Sequence, residues 1–453
     1  EEYCGLIGHI YTSRTIVITA MSGVAATLIH GKTAHQAFGI NRSKVYEHEK
    51  EEWLDTRLVT IDEISFCSAK EFKIIHDHLK ELGRSRWLAY GGLNVVFCGD
   101  FSQLEPVAKD CVYKDGNYCP EFHGELNCFI ELQGMHRFRK DPPWGERCLR
   151  FREGRPTPED IEIINNACLV TPENQPPANV QVATKINANR DTINSQVFEE
   201  FCKKNSPADG SVFSGAIVIL MDDLLMTNDK DDYVPMQSNQ TKKWFWENCG
   251  KDDCKTANDH GKSPNCVDPM LKLYYRCPLM LVQNKNVPKG QGNGSRVFLE
   301  TVNVKPNEEP ILCTLKCGTT IRVFRAQQIK SLVVEKENDN INPRSFEVVP
   351  TIDIQFLARM KMQGEKVSTK MKGTQFPIVS NSATTGHKLQ GYTAEQLLVN
   401  DWQWQQNWAY VVLSRVTEMK GLFLREPLVP DLHKYRMNDH MLAMIQSFRQ
   451  DPH

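Results

Sequence analysis

Leu58-Val59-Thr60-Ile61-Asp62-Glu63 is a short β-branched run that closes on two adjacent carboxylates. Such a run predicts a buried strand whose end carries charge. Two similar runs flank it. Thr15-Ile16-Val17-Ile18-Thr19-Ala20 precedes it, and Leu93-Asn94-Val95-Val96-Phe97-Cys98 follows, ending at Gly99-Asp100. Between the last two runs, Phe72, Ile75, Leu79 and Leu82 recur at helical spacing, and Gly83 is placed to stop the helix. Apolar strands separated by a helix predict a parallel sheet covered on both faces. Ligands bind such sheets at the carboxyl ends of the strands, where Asp62, Glu63 and Asp100 fall.

Working outward, prolines and polar residues cluster at 154–158 and 171–177 and mark a boundary. The first α/β unit is therefore expected over 1–155. A second opens at 156, with Val180-Gln181-Val182-Ala183-Thr184 as a strand and 187–201 as a helix. A polar insertion at about 228–269 ends that first stretch (156–270). From 271 to 375 the pattern turns β-like, as in Thr319-Thr320-Ile321-Arg322-Val323-Phe324. The α/β pattern resumes over 376–453, through Leu397-Leu398-Val399 and Leu422-Phe423-Leu424. No repeat of fixed period occurs.

The 453 residues suffice for two or three domains, and 40% hydrophobic with 24% charged residues suits a globular core. There is no apolar run of about 18 residues, so no membrane span is expected. Glu1-Glu2-Tyr3-Cys4 does not read as a signal peptide. The 15 cysteines are scattered, several in apolar contexts such as Cys98 and Cys168, and are read as reduced thiols of an intracellular protein. A net charge of −2 gives no global field for nucleic acid, so any such binding must lie in a local groove.

Four segments carry chemistry. A Mg²⁺-nucleotide site needs one carboxylate to hold the metal through water and another to activate the attacking water, and Asp62-Glu63 offers both. As a bare dipeptide it also suits a solvated turn. Gly99-Asp100-Phe101-Ser102-Gln103-Leu104-Glu105-Pro106 again follows an apolar strand, and its Gln103 can reach a γ-phosphate and a neighbouring domain. A loop with an N-cap Asp is the equal alternative. Ala383-Thr384-Thr385-Gly386-His387-Lys388-Leu389-Gln390-Gly391 mixes small, hydroxyl and basic residues suited to a phosphodiester backbone, or to an ordinary polar loop. Tyr410-Val411-Val412-Leu413-Ser414-Arg415-Val416 sets one arginine after an apolar stretch, as an arginine finger or as a surface residue at a helix end.

In order and placement, the set resembles the superfamily 1B DNA helicases of the PIF/RecD-like group, which includes Helitron-type helicases. Thr19–Ala26 with Gly31–His35 looks like the first DNA-contacting motif, Val59–Ser65 like Walker B, and Gly99–Pro106 like motif III. Leu132–Arg137, with Lys140-Asp141-Pro142 and Arg150–Gly154, looks like motif IV. Thr385–Gly391 and Val411–Val416 look like motifs V and VI, and Tyr275–Gly294 resembles the lead into the family's inserted barrel. The resemblance implies an α/β fold of two RecA-like parallel-sheet domains with a small SH3-like β-barrel inserted in the second. It implies ATP and Mg²⁺, with Asp62 holding the metal through water and Glu63 activating water. Gln103 would sense the γ-phosphate, and Arg137 and Arg415 would neutralise it. Gln390 and Gly391 would join the nucleotide site. Thr19, Thr33, His35, Thr385, His387 and Lys388 would grip single-stranded DNA, and DNA junctions are expected partners. Translocation from 5′ to 3′, roles in DNA repair and recombination, and a nuclear or mitochondrial place in a eukaryote follow by family analogy.

The sequence also departs from the pattern. The Walker A loop, G-x-x-x-x-G-K-[ST], is expected upstream of Thr15, yet residues 1–14 hold Gly5 and Gly8 without a Gly-Lys-Thr. Gly31-Lys32-Thr33 is a decoy, because Ala26 stands where the motif needs glycine. A fragment of a longer protein is the favoured explanation, and loss of the loop is the other. The full gene product is then expected to hydrolyse ATP and this chain to do so little. Leu104-Glu105-Pro106 has one proline where the family tends to have two. Cys249, Cys254, His260 and Cys266 offer zinc ligands at loose spacing, and plain loop cysteines are the favoured reading. Trp244 and Trp246 could stack on bases or pack the insertion down. The rivals are a motor-dead strand or partner binder, the helicase part of a transposon protein, and an RNA translocase.

Overall fold

The computed structural model describes residues 5–6, 8, 10–106, 110–113, 119–228, 231–236, 246, 267–337, 343–362 and 365–450. The first sheet holds β1 (Ile16–Ala20), β2 (Lys32–Thr33), β3 (Leu58–Asp62) and β4 (Asn94–Phe97), in the order β2-β1-β3-β4 and parallel throughout. The helix Ala69–Leu82 lies under it. Ser68 and Glu71 form a capping box at its start, and Phe72, Ile75, Leu79 and Leu82 are buried as their spacing predicts. The register sets Ile18, Thr60 and Val96 in one row. Ile18 and Val96 remain 41% and 46% exposed, so at these positions burial is one-sided rather than two-sided as expected.

Gly31-Lys32-Thr33 folds as a strand entry. Thr33 caps the helix Ala34–Phe38 through a capping box with Gln36. A Cβ on Gly31 would stand 2.5 Å from the Ile18 carbonyl oxygen, so glycine is needed here for close strand packing.

After the helices Pro142–Arg152 and Pro158–Cys168, β5 (Gln181–Thr184) starts the second parallel sheet. Its other strands come from the far end of the chain, past a long β-rich insertion. That insertion comprises β6 (Phe213–Leu220), β7 (Asp222–Thr227), β8 (Tyr233–Pro235), β9 (Met270–Tyr274), β10 (Pro278–Leu281) and β11 (Arg296–Val304). It continues with β12 (Ile311–Thr314), β13 (Thr320–Arg325), β14 (Ile329–Lys336), β15 (Ser345–Val348), β16 (Thr351–Met362), β17 (Glu365–Gln375) and β18 (Ile378–Ser380). These form three sheets, ordered β15-β14-β11-β10-β18, β12-β13-β6-β9 and β16-β17-β7-β8. The sequence reading opens the β-rich part at 271, whereas its pairing begins with β6 at Phe213. β6 finds its partners β9 and β13 far along the chain, which no local pattern reveals.

The second parallel sheet is completed by β19 (Ala383–Thr385), β20 (Leu397–Val399) and β21 (Leu422–Leu424), in the order β19-β5-β20-β21. Trp144, Trp408, Leu397 and Val411 are buried in its core. The helix Asp439–Gln450 then returns to the first unit. Met441 and Met444 enter that unit's core, Phe448 stacks on Phe129, and Arg449 forks onto Glu131 at 2.6 and 3.0 Å. Among the described residues no helix is long and apolar enough to cross a membrane.

Phe72 is fully buried and meets Phe97 and Phe122 edge-on or tilted. Phe72→Ala is expected to cost about 3–5 kcal/mol, the usual price of a large core cavity. Trp87→Ala, at a position 95% exposed, should move stability by less than about 0.5 kcal/mol. Urea denaturation followed by circular dichroism checks both, and equal losses would contradict this account of the core.

Candidate functional site

Asp62 ends β3 and Glu63 follows it at φ 55°, ψ 42°. A non-glycine residue in the left-handed region is uncommon and costs of order 1–3 kcal/mol when the surroundings impose it. The turn brings the Glu63 amide onto an Asp62 carboxylate oxygen at 2.9 Å. Burial raises both carboxyls above their ordinary range. For Glu63 the Asp62 charge adds to burial, and the carboxyl goes from 4.5 up to about 7. One Glu63 oxygen is buried without a hydrogen-bond partner.

The second unit faces this turn. Gly391, at φ +75°, lies opposite, and a Cβ there would come within 4.0 Å of a Glu63 carboxylate oxygen. Arg137 donates to the Ser414 carbonyl at 3.1 Å. Arg415, next in the chain, is 1% exposed. Its guanidinium donates to the carbonyls of Val411 (2.7 Å), Leu389 and Tyr392 (both 3.3 Å) and to the Ser414 hydroxyl (2.8 Å). The apolar stretch before it thus leads to a buried cation, not a surface arginine at a helix end. Among the described residues it forms no ion pair. Burial and the nearby Arg137 charge pull it from 12.5 down to about 10. A buried guanidinium whose charge is opposed by burial and by Arg137, beside a carboxylate that resists ionising, is the electrostatic pattern of a site that receives an anion.

Gln103 and Gln390 border the same region. Each has a buried side-chain oxygen without a partner. The Gln103 carbonyl accepts from Asn407 at 3.0 Å, and Gln390 donates weakly to Leu104 at 3.4 Å. Asp62, Glu63, Gln103, Arg137, Gln390, Gly391 and Arg415 therefore come from distant parts of the chain to the facing edges of two sheets.

Asp100, Arg152 and Tyr410 form a junction that the sequence does not reveal. Arg152 grips Asp100 at 3.1 and 3.2 Å, and the Tyr410 hydroxyl donates to the same carboxylate at 3.2 Å. Burial raises the Tyr410 phenol. The helix Trp408–Leu413, which leads into Arg415, is thereby fastened to the end of β4. The only signal in the sequence is the charge on Asp100 and Arg152.

The expected strand-gripping residues divide. Thr19 is fully buried and its hydroxyl donates to the Thr60 carbonyl at 2.8 Å. Thr33 is 3% exposed and spends its hydroxyl on the cap. Neither side chain reaches a groove, because strand pairing and capping use them. His35 lies 3.4 Å from Glu71. Thr385 and His387 are half-buried, and Lys388 is exposed. Burial, with Lys388 beside it, holds the His387 imidazole below the ordinary 6.5.

Cys249, Cys254, His260 and Cys266 lie outside the described residues, as does Trp244. Trp246 packs against the cluster around Met221. Among the described residues no group of three or more His, Cys, Asp or Glu could hold a metal ion. A hard cation here would lean on Asp62 and water. That fits Mg²⁺, which keeps several waters and takes one or two carboxylates beside substrate phosphates.

Residues 3–116 match the family model described as PIF1-like helicase. The chain is 24% identical over 424 residues to the ATP-dependent DNA helicase Pif1 of Bdellovibrio bacteriovorus, covering 90% of this chain and 77% of that one. It is 32% identical over 196 residues to the ATP-dependent DNA helicase PIF1 of Saccharomyces cerevisiae, covering 36% of this chain and only 22% of that relative. Its fold matches Bacteroides Pif1 bound to single-stranded DNA with a TM-score of 0.61 at 17% identity, over 98% of this chain and 89% of that one. Pif1 from Candida albicans gives 0.61 at 19% identity, over 96% and 89%.

The raised Glu63 carboxyl has a measurable consequence in metal-free buffer. Below 4.5 both folded and unfolded chains hold its proton. As pH rises from 4.5 to about 7 the unfolded chain releases it first, so the contribution of Glu63 to stability falls, then levels off above about 7. Glu63→Gln should remove this slope, making the variant progressively more stable than the parent across that window. Denaturation midpoints at stepped pH report it, and a constant difference between the two proteins would refute the assignment.

Proposed function

We propose that this chain is a PIF1-like helicase and serves as the motor of an ATP-driven translocase moving 5′ to 3′ on single-stranded DNA and unwinding duplex and junctions, a reading that the match of residues 3–116 and the likeness to Pif1 support. The observation that carries this reading is the convergence of Glu63 with Arg137 and Arg415, which lie far apart in the chain. A protein that only bound a strand would need no such constellation.

The chemistry supplied by bound ATP and Mg²⁺ is phosphoryl transfer to water, with the cation offsetting phosphate charge. Asp62 would hold the cation through water. Glu63 would accept the proton of the attacking water, for which a carboxyl raised toward neutrality is well matched. Arg137 and Arg415 would meet the charge on the γ-phosphoryl oxygens. For Arg415 this means exchanging backbone carbonyls for phosphate, a gain for a buried guanidinium that lacks a counter-ion. Gln103 and Gln390, with their unpartnered oxygens, would orient water and report occupancy to the adjoining unit.

His35, Thr385, His387 and Lys388 would contact the strand. Closing the two sheets on nucleotide and reopening them after hydrolysis would shift the surface bearing Lys388 against the first unit.

The test is ATP hydrolysis by the natural gene product containing these residues, with and without single-stranded DNA. Turnover should rise with DNA and fall by about 10²–10⁴ in Glu63→Gln, while strand binding persists. Strand binding with no turnover in the parent protein would favour a binder instead. Equal stimulation by RNA would broaden the substrate.

A further inference from the structure

A cleft of about 640 Å³ opens where the two parallel-sheet units meet the β-rich insertion. Its volume lies within the roughly 300–1,000 Å³ of small-ligand sites. Lys388 lines it, with Arg296 and Lys336 from the insertion and Tyr392 from the second unit. Three cations thus face the cleft against two carboxylates, Glu337 and Glu395.

The centre of this wall is one linked cluster. Arg296 Nη1 donates to a Glu337 carboxylate oxygen at 2.6 Å and meets the Tyr392 hydroxyl at 2.7 Å. Tyr392 donates to the same Glu337 oxygen at 3.0 Å. The Arg296 side chain is 12% exposed, and its Nε is buried without a hydrogen bond. The guanidinium lies 5.3 Å from the Phe298 ring and 5.9 Å from the Tyr392 ring. Arg276 covers Phe298 as well, at 5.0 Å. Cations alternating with aromatic rings beside a basic cleft form the type of surface on which single-stranded nucleic acid lies.

We propose that Arg296 is a strand-binding residue that takes a backbone phosphate in this cleft, and that Glu337 occupies the phosphate's position when no strand is bound. The inference rests on the strand-binding reading above and adds a contact outside the motif residues. The guanidinium, lodged near the Phe298 and Tyr392 rings and bonded to the Tyr392 hydroxyl, is pre-oriented to present Nη1 to a phosphate oxygen. Glu337 presents a single oxygen to both Arg296 and Tyr392, so one phosphate oxygen can replace it without moving either partner. Glu337 is a third exposed and can swing to solvent.

Binding of a labelled oligothymidylate, followed by fluorescence anisotropy at several salt concentrations, tests this. Glu337→Gln keeps the shape and removes the competing charge, and should tighten binding about fivefold. Arg296→Gln should weaken it about tenfold and reduce the salt slope by about 0.7, the loss of one phosphate contact on a single strand. Arg296→Lys should keep the slope while losing part of the affinity. Thermal melting identifies any variant that misfolds, and Glu337→Gln decides the matter alone if the Arg296 variants do. If Lys388→Ala weakens binding while the Glu337 and Arg296 variants bind as the parent does, this proposal fails and the strand-binding reading stands. If the parent does not bind the strand, both fail.

Discussion

A three-way contact on one carboxylate ties the two halves of the site together. Asp100, in the turn that follows β4, accepts both prongs of Arg152 and the hydroxyl of Tyr410. Tyr410 belongs to the short helix that ends beside Ser414 and Arg415. Together with the Asn407 bond to the Gln103 carbonyl, this junction fixes how far Arg415 stands from Glu63, and the electrostatic tuning of both groups depends on that separation. Charge-assisted bonds in a half-buried place are stronger than their exposed counterparts, and an unpaired Asp100 there would be costly. The junction is therefore a constraint as well as an attraction.

Around it the site shows opposed demands. Glu63 is half-buried next to another acid, and Arg415 is buried next to another base. Each is destabilised by its own neighbour and favoured by the group across the cleft. Structures carry such frustration where a ligand's charge is to be received, since the ligand relieves it. The left-handed backbone at Glu63 belongs to the same pattern, with strain held by the Asp62 carboxylate and the packing of β3.

The parallel sheets were legible because their strands are short apolar runs ending in charge or glycine. Leu58–Asp62 and Leu397–Val399 could be placed almost to the residue. The meeting of Asp62, Glu63 and Arg415 was legible only through resemblance, because nothing local ties residue 63 to residue 415. Thr19 and Thr33 show the opposite failing. Their motif places them near DNA, yet a hydroxyl's partner is decided by pairing, and the carbonyl of Thr60 or the amide of Gln36 was nearer. The alternative of a surface arginine at residue 415 stayed open in the sequence because a sequence does not show burial. Asp100, Arg152 and Tyr410 are 52 and 310 residues apart in their pairings, beyond any periodicity. The start of the β-rich insertion at Phe213 was hidden for the same reason.

The helix Asp439–Gln450 sits in the first unit although its residues come after the second. Met441 and Met444 fill the same core as Phe38, Ile61 and Phe72. A ribosome makes these groups roughly 400 residues apart, and at about 5–20 residues per second the first sheet waits on the order of tens of seconds for its last side chains. During that wait the space for the two methionines stays open to water and to other chains. The whole chain is in this sense one folding unit, and the cell must protect its oldest part until its youngest has been made.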